Sequence, residues 1–203
     1  MTLWRAEPLV LASKSAPRRM LLEAAGIPLA IDPADIDERA AEAAAPAEAA
    51  KPDGAAVLLA RAKALETAKR NAGKLVLGAD QTLALGAKRF SKPTSRDAAR
   101  AQLAELSGQT HSLHSGIAVV RDRDVLFETV SSAHLTMHKM SGAFLEAYLD
   151  AAGERVMQSV GGYQLESVGV NLFEKIDGDH FTILGMPLLP LLAYFRKAGL
   201  IVS

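Results

Sequence analysis

The stretch LVLASKSAPRRMLLEAAGIPL, residues 9–29, sets serines, a lysine, a proline and an arginine pair between an apolar run and a helix-like pattern. The first N–H groups of a helix are unpaired and carry partial positive charge, so hydroxyls and guanidinium groups gathered there suit an anion. Ser13, Ser15 and Arg18 are therefore candidates for holding phosphate. The alternative use of the same residues is plain capping by Ser13 or Ser15 with both arginines on solvent. A second stretch, KLVLGADQTLAL, delivers Asp80 where an apolar strand stops, the place at which open α/β sheets collect ligands. A turn aspartate satisfied by backbone N–H groups is its structural counterpart. Asp35, Asp37 and Glu38 could offer oxygen ligands to magnesium, or form a solvated loop. Lys63 and Lys92 could each bring a cation to phosphate, or lie on the surface.

Positioning these groups falls to interleaved strands and helices. Leu9, Val10, Leu11 and Ala12 read as a short buried strand, and Met20, Leu21, Leu22, Ala24 and Ala25 as the inner face of a helix closed by Gly26. An apolar strand then runs into the acidic segment, and an alanine-rich connection with Pro46 and Pro52 follows. A helix from about Gly54 to Asn71 ends near Gly73. Leu75–Leu77 form a strand, and a capping pair of Thr94 and Asp97 opens a helix to about Leu106. Alternation at Val125, Phe127 and Thr129, then at Ala133, Leu135 and Met137, predicts long strands. Ser141 caps a helix to about Ala151, a glycine-rich loop precedes a strand over Gly169–Phe173, Asp177-Gly178 marks a tight turn, and Pro187 opens the final helix. The pattern predicts a mixed twisted sheet with flanking helices, in one domain over residues 1–203.

Composition removes several chemistries. There is no cysteine, which excludes disulfides, thiolate nucleophiles and Cys-ligated zinc. Lysine plus arginine balances aspartate plus glutamate at 23 each, so no global positive field serves a nucleic-acid backbone. No apolar run approaches the roughly 18 residues of a membrane span, and the N-terminal residues lack the pattern of a secretion signal; the expectation is a cytoplasmic protein with no membrane partner. His134 and His138 lie four apart and His111 and His114 three apart, spacings that on strands do not converge on a zinc ion. GGYQLESVG lacks the G-x-G-x-x-G spacing, and no P-loop sequence occurs.

In order, LASKSAPRRMLLEAAG, DPADIDE, LARAKA, LGADQT, SKP, LSGQTHS, GGYQLESVGVNLFEKIDGD and GMPL resemble the Maf family of nucleoside triphosphate pyrophosphatases over nearly the whole chain. The resemblance implies a mixed α/β, ITPase-like fold with two lobes around a cleft, a homodimer, and hydrolysis of a nucleoside triphosphate to monophosphate and pyrophosphate with Mg or Mn. It assigns Ser13, Ser15 and Arg18 to the phosphate-binding turn, Lys63 and Lys92 to the triphosphate, Asp80 to catalysis, and Asp80 with Asp35 to metal. Many members have Ser-Pro-Arg-Arg where this chain has Ser15-Ala16-Pro17-Arg18, so a gapless match puts Pro17 at the first arginine. Members with the arginine pair have threonine after the aspartate and glutamine in the late loop, and are associated with dTTP and UTP. Gln81 and Glu166 stand at those places here, as in a branch associated with 7-methyl-GTP. A carboxylate suits the adjacent N1–H and N2–H donors of guanine. Pro17, Gln81 and Glu166 thus become candidates for base specificity.

Two rival readings use the same residues. In one, the pocket holds a triphosphate to regulate a partner, as in cell division, without turnover. In the other, the anion site is incidental on a structural protein.

Overall fold

The computed structural model describes residues 3–44 and 51–202; the connection around Pro46 lies outside them. In chain order the elements are β1 (Leu9–Leu11), α1 (Ala16–Ala24), β2 (Leu29–Ile31), α2 (Glu38–Ala43), α3 (Pro52–Ala68), β3 (Leu75–Leu85), β4 (Lys88–Phe90), α4 (Arg96–Leu106), β5 (Thr110–Arg121), β6 (Asp124–Met137), α5 (Gly142–Ala152), β7 (Phe173–Asp177), α6 (His180–Ile183) and α7 (Leu188–Lys197). The sheet has the order β2-β1-β3-β5-β6-β7, with β4 also on β3. β1 runs parallel to both β2 and β3, whereas β4 is antiparallel to β3 and β7 to β6. The mixed α/β sheet with flanking helices is therefore as the sequence predicts.

The chain divides into two compact units. The first comprises Met1–Gln81, His114–Ser131 and His180–Ser203; the second comprises Thr82–Leu113 and Ser132–Asp179. In the first, alternation along the strands feeds two cores. Leu9, Leu11, Leu77, Ala79, Ile117 and Val119 pack with Leu22, Met186, Leu191 and Phe195. Val10, Ala12, Val76, Ala118 and Val120 meet Ala60, Ala64 and Ala68 of α3. Small residues on both sides let helix and strand backbones approach. A Cβ built on Gly78 would lie 2.0 Å from the carbonyl oxygen of Ala60, and one on Gly116 would lie 2.4 Å from that of Ala56.

In the second unit, Ser95 caps α4 by accepting from Ala98 N, and Ser141 caps α5 by accepting from Phe144 N. The first cap corrects the sequence reading, which gave that place to Thr94. Residues 160–162 and 168–172 form short 3-10 turns, so the strand expected over Gly169–Phe173 starts only at Phe173 and continues to Asp177. Gly169 instead packs against Gln164, where a Cβ would meet that residue's carbonyl oxygen at 2.4 Å.

Three further expectations change. β3 does not stop at Leu77 but runs on to Leu85, so Asp80 lies within a strand. What stops is its parallel neighbour: β1 pairs Val10 and Leu11 with Val76 and Leu77, and Asp80 lies beyond that register. Met20 is 50% exposed, because at 100° per residue Leu21 and Leu22 take the inner face of α1. The acidic segment folds at its end into α2, capped by Asp37, whose carboxylate accepts from Ala40 N.

Gly78→Ala should lower stability by about 1 to 3 kcal/mol, the range for forcing extra volume into a packed interior. The measurement is the urea midpoint, with the slope unchanged. An unaltered midpoint would mean that α3 can move off β3 at no cost.

Candidate active site

The turn between β1 and α1 is built around Arg18. Ser15 is the N-cap of α1, its hydroxyl accepting from Arg18 N at 3.4 Å, and Ser13 Oγ accepts from Ser15 N at 3.2 Å. The Arg18 guanidinium folds back into the same turn. Its Nη1 donates to the carbonyl of Ala79 at 2.7 Å and to Ser13 Oγ at 3.3 Å, and its Nε donates to the carbonyl of Gly185 at 2.9 Å. Gly185 has φ +83°, and a Cβ there would meet Arg18 Nε at 3.1 Å, so glycine is needed for this approach. Nη2 has no hydrogen-bond partner among the described residues. Burial holds the Arg18 pKa below the ordinary guanidinium value, opposed by the charges of Asp80 and Glu38. Arg19 instead makes an exposed ion pair with Glu23 at 2.8 Å.

α3 carries Lys63 to β3. Its Nζ donates to Asp80 Oδ1 at 2.5 Å and lies 2.7 Å from Glu38 Oε1. The Lys63 and Asp80 side chains are only 15% and 12% exposed, against 53% for Glu38. Burial raises the Asp80 pKa above the usual carboxylate value; Lys63 and Arg18 pull it down, and Glu38 adds to the rise. One buried carboxylate, one more open carboxylate and one ammonium thus meet at a point.

Of the acidic trio, Glu38 is the residue that reaches this point. Asp37 is spent on the cap of α2, which sets Glu38 in the first helical turn. Asp35 is exposed, and its backbone N–H donates to Glu66 Oε2 at 3.2 Å. The signal available in the sequence was a good N-cap residue directly before a helix-forming run, ERAAEA. As to a metal, no three His, Cys, Asp or Glu side chains gather among the described residues. Two carboxylates at one point nevertheless fit Mg²⁺, which keeps water and substrate phosphate among its ligands and needs few from protein.

Gln81 follows Asp80 but turns to the other face of β3. Its Nε2 donates to Ser115 Oγ at 2.9 Å and to the carbonyls of Thr182 and Ile183 at 3.1 and 3.0 Å. Pro17 occupies the first turn of α1. These groups all belong to the first unit. Lys92 and Glu166 belong to the second; both are exposed and neither has a partner among the described residues.

The chain belongs to the Maf-like protein family, whose model matches residues 8–198. It is 53% identical over 202 residues to a nucleoside triphosphate pyrophosphatase from Bradyrhizobium diazoefficiens, covering 99% of each chain. It is 49% identical over 189 residues to a 7-methyl-GTP pyrophosphatase from Brucella abortus, covering 93% of this chain and 95% of that one.

Lys63→Met leaves Asp80 beside Glu38 without their shared cation. Stability should fall on the order of 1 to 3 kcal/mol, less than for a fully buried pair because both groups keep some solvent. Adding Asp80→Asn should recover part of the loss in thermal melts. No recovery would show that Lys63 supports the fold through its stem rather than its charge.

Proposed function

We infer that this protein is a nucleoside triphosphate pyrophosphatase that splits its substrate into a monophosphate and pyrophosphate, with the whole of residues 1–203 as one functional domain. The observation that carries the reading is the Lys63 ammonium of α3 held between Asp80 of β3 and Glu38 of α2, with the Arg18 guanidinium bonded to the carbonyl of Ala79 beside Asp80. The family match, which spans both compact units, supports treating them together.

The proposed reaction is attack of water on the α-phosphorus. A new P–O bond forms, the bond from that phosphorus to the α–β bridging oxygen breaks, and pyrophosphate leaves with the bonding electrons. Asp80 accepts the proton of the attacking water, a task suited to a carboxylate whose basicity burial has raised. Arg18 and Lys63 stabilise charge on the phosphate oxygens, Ser13 and Ser15 with the first N–H groups of α1 hold the phosphate chain, and Lys92 contributes a further cation. Mg²⁺ or Mn²⁺, when bound, supplies charge neutralisation across the phosphates. The residues that would hold it are Asp80 and Glu38, with Asp35 on the adjoining acidic segment.

For the base we propose a guanine of the 7-methyl-GTP type. Pro17, Gln81 and Glu166 are the supporting residues, and the free carboxylate of Glu166 is chemically matched to paired N–H donors. The setting we propose is cytoplasmic, as a homodimer, with neither nucleic acid nor membrane as partner. Among the described residues no helix is long and apolar enough to cross a membrane.

The test is pyrophosphate release from a panel of triphosphates, including 7-methyl-GTP and UTP, with and without magnesium. Asp80→Asn should cut kcat on the order of 100-fold or more while nucleotide binding remains measurable. Near-normal turnover in that variant would falsify the mechanism. Nucleotide-dependent melting without pyrophosphate release would favour a regulatory binder instead.

A further inference from the structure

We infer that His111 and Tyr163 form a positioning pair that fixes Glu166 for base recognition. The inference rests on the base-reading role proposed above for Glu166. All the residues it uses belong to the second unit.

The segment that carries Glu166 owes its path to individual contacts rather than to regular strand or α-helix. It contains no strand or α-helix, and Gly161 and Gly162 adopt φ of +80° and +75°, where glycine has freedom to spare. Tyr163 comes directly after them. Its hydroxyl lies 2.7 Å from Nε2 of His111 in β5, and its ring meets Phe173 edge-on at 4.9 Å. Its carbonyl accepts from Ser159 Oγ, and the Tyr148 hydroxyl in α5 donates to the carbonyl of Gly162 at 3.0 Å. The chain is thus clamped on both sides of the peptide joining Gly162 to Tyr163.

Beyond the clamp the path is short and tight. Ser167 donates both its N–H and its hydroxyl to the carbonyl of Gln164, each at 3.2 Å, which closes a turn around Glu166. Gly169 lies against Gln164 with no room for a side chain. Glu166 is exposed at this turn, its carboxylate without a partner among the described residues. Its place follows from this tight turn, which starts one residue after Tyr163 and is anchored where Tyr163 is held.

The chemistry of the pair suits holding rather than proton transfer. Burial pushes the His111 pKa down to about 4 and raises that of Tyr163 well above its ordinary value, so both are neutral near pH 7. His111 Nδ1 is buried with no partner among the described residues. An apolar side chain would fill the space without that orphaned nitrogen, so the imidazole is accounted for by its bond to Tyr163.

A double-mutant cycle tests this, using kcat/KM for 7-methyl-GTP and UTP in wild type, Tyr163→Phe, Glu166→Gln and the double variant. Tyr163→Phe should lower the 7-methyl-GTP to UTP ratio about 2- to 10-fold, the worth of one hydrogen bond. The change should appear in KM for 7-methyl-GTP, with kcat for UTP retained, and should vanish in the Glu166→Gln background. His111→Leu should behave as Tyr163→Phe does, and His111→Gln, which keeps a polar group within reach of the hydroxyl, should restore much of the ratio. The histidine variants carry the same test if the tyrosine variant does not fold. An unchanged ratio, or effects that multiply independently, overturns the inference. A wild type that releases no pyrophosphate, or Glu166→Gln with the wild-type ratio, removes the underlying reading and this inference with it; both are seen before Tyr163 is touched.

Discussion

The closeness of α3 to strands β3 and β5 is the constraint on which the rest of the first unit depends. Gly78 and Gly116 lack the atoms that would collide with the carbonyls of Ala60 and Ala56, and the helix offers alanine in return. Such packing contributes little apolar area per residue, so its stabilisation comes from density rather than from large buried side chains. Its functional consequence is length. A lysine on a helix this near the sheet reaches the carboxylate of the strand beneath it, which is how Lys63 Nζ comes within 2.5 Å of Asp80.

That pairing sets the electrostatics around it. A carboxylate as buried as Asp80 is costly to ionise alone, and Lys63 with Arg18 offsets the cost. Arg18 is itself braced by two main-chain carbonyls, from Ala79 and Gly185, so its charge is fixed in place before any anion arrives. A preorganised cation loses less on binding than one that must be ordered. The segment that leads into α2, the helix bearing Glu38, is tied just past the C-terminal end of α3, where Asp32 accepts from Arg70 at 3.0 Å and from Asn71 at 2.6 Å. The same helix therefore positions both carboxylates of the site.

Sequence reasoning named the turn, Lys63 and Asp80, which the structure brings together, because each stands beside a pattern with a local cause: a capping serine, an alanine-rich helix, an apolar strand. It named the acidic trio but not the member that reaches Lys63, since the distinction between Asp35, Asp37 and Glu38 depends on which of them caps α2. It also stopped β3 too early. Gly78 reads locally as a strand breaker, yet its purpose is to admit a helix that arrives from some fifteen residues upstream, and tertiary packing of that kind leaves no local mark. His111 shows the same limit from the other side. Its spacing to His114 argued against zinc, but its partner Tyr163 is 52 residues away.

Strand alternation has a last consequence for the two neighbours Asp80 and Gln81. Val76, Gly78 and Asp80 face α3, whereas Leu77, Ala79 and Gln81 face the core shared with α7. Consecutive residues thus serve opposite faces of one strand. Two main-chain carbonyls can be met only by the amide nitrogen of Gln81, so its orientation follows from the hydrogen bonds of Thr182 and Ile183. With Nε2 shared among three acceptors, Oε1 is the polar atom left over. The amide plane of Gln81 is thus fixed by main-chain carbonyls of the segment before α7 and by Ser115, with its acceptor atom set opposite them.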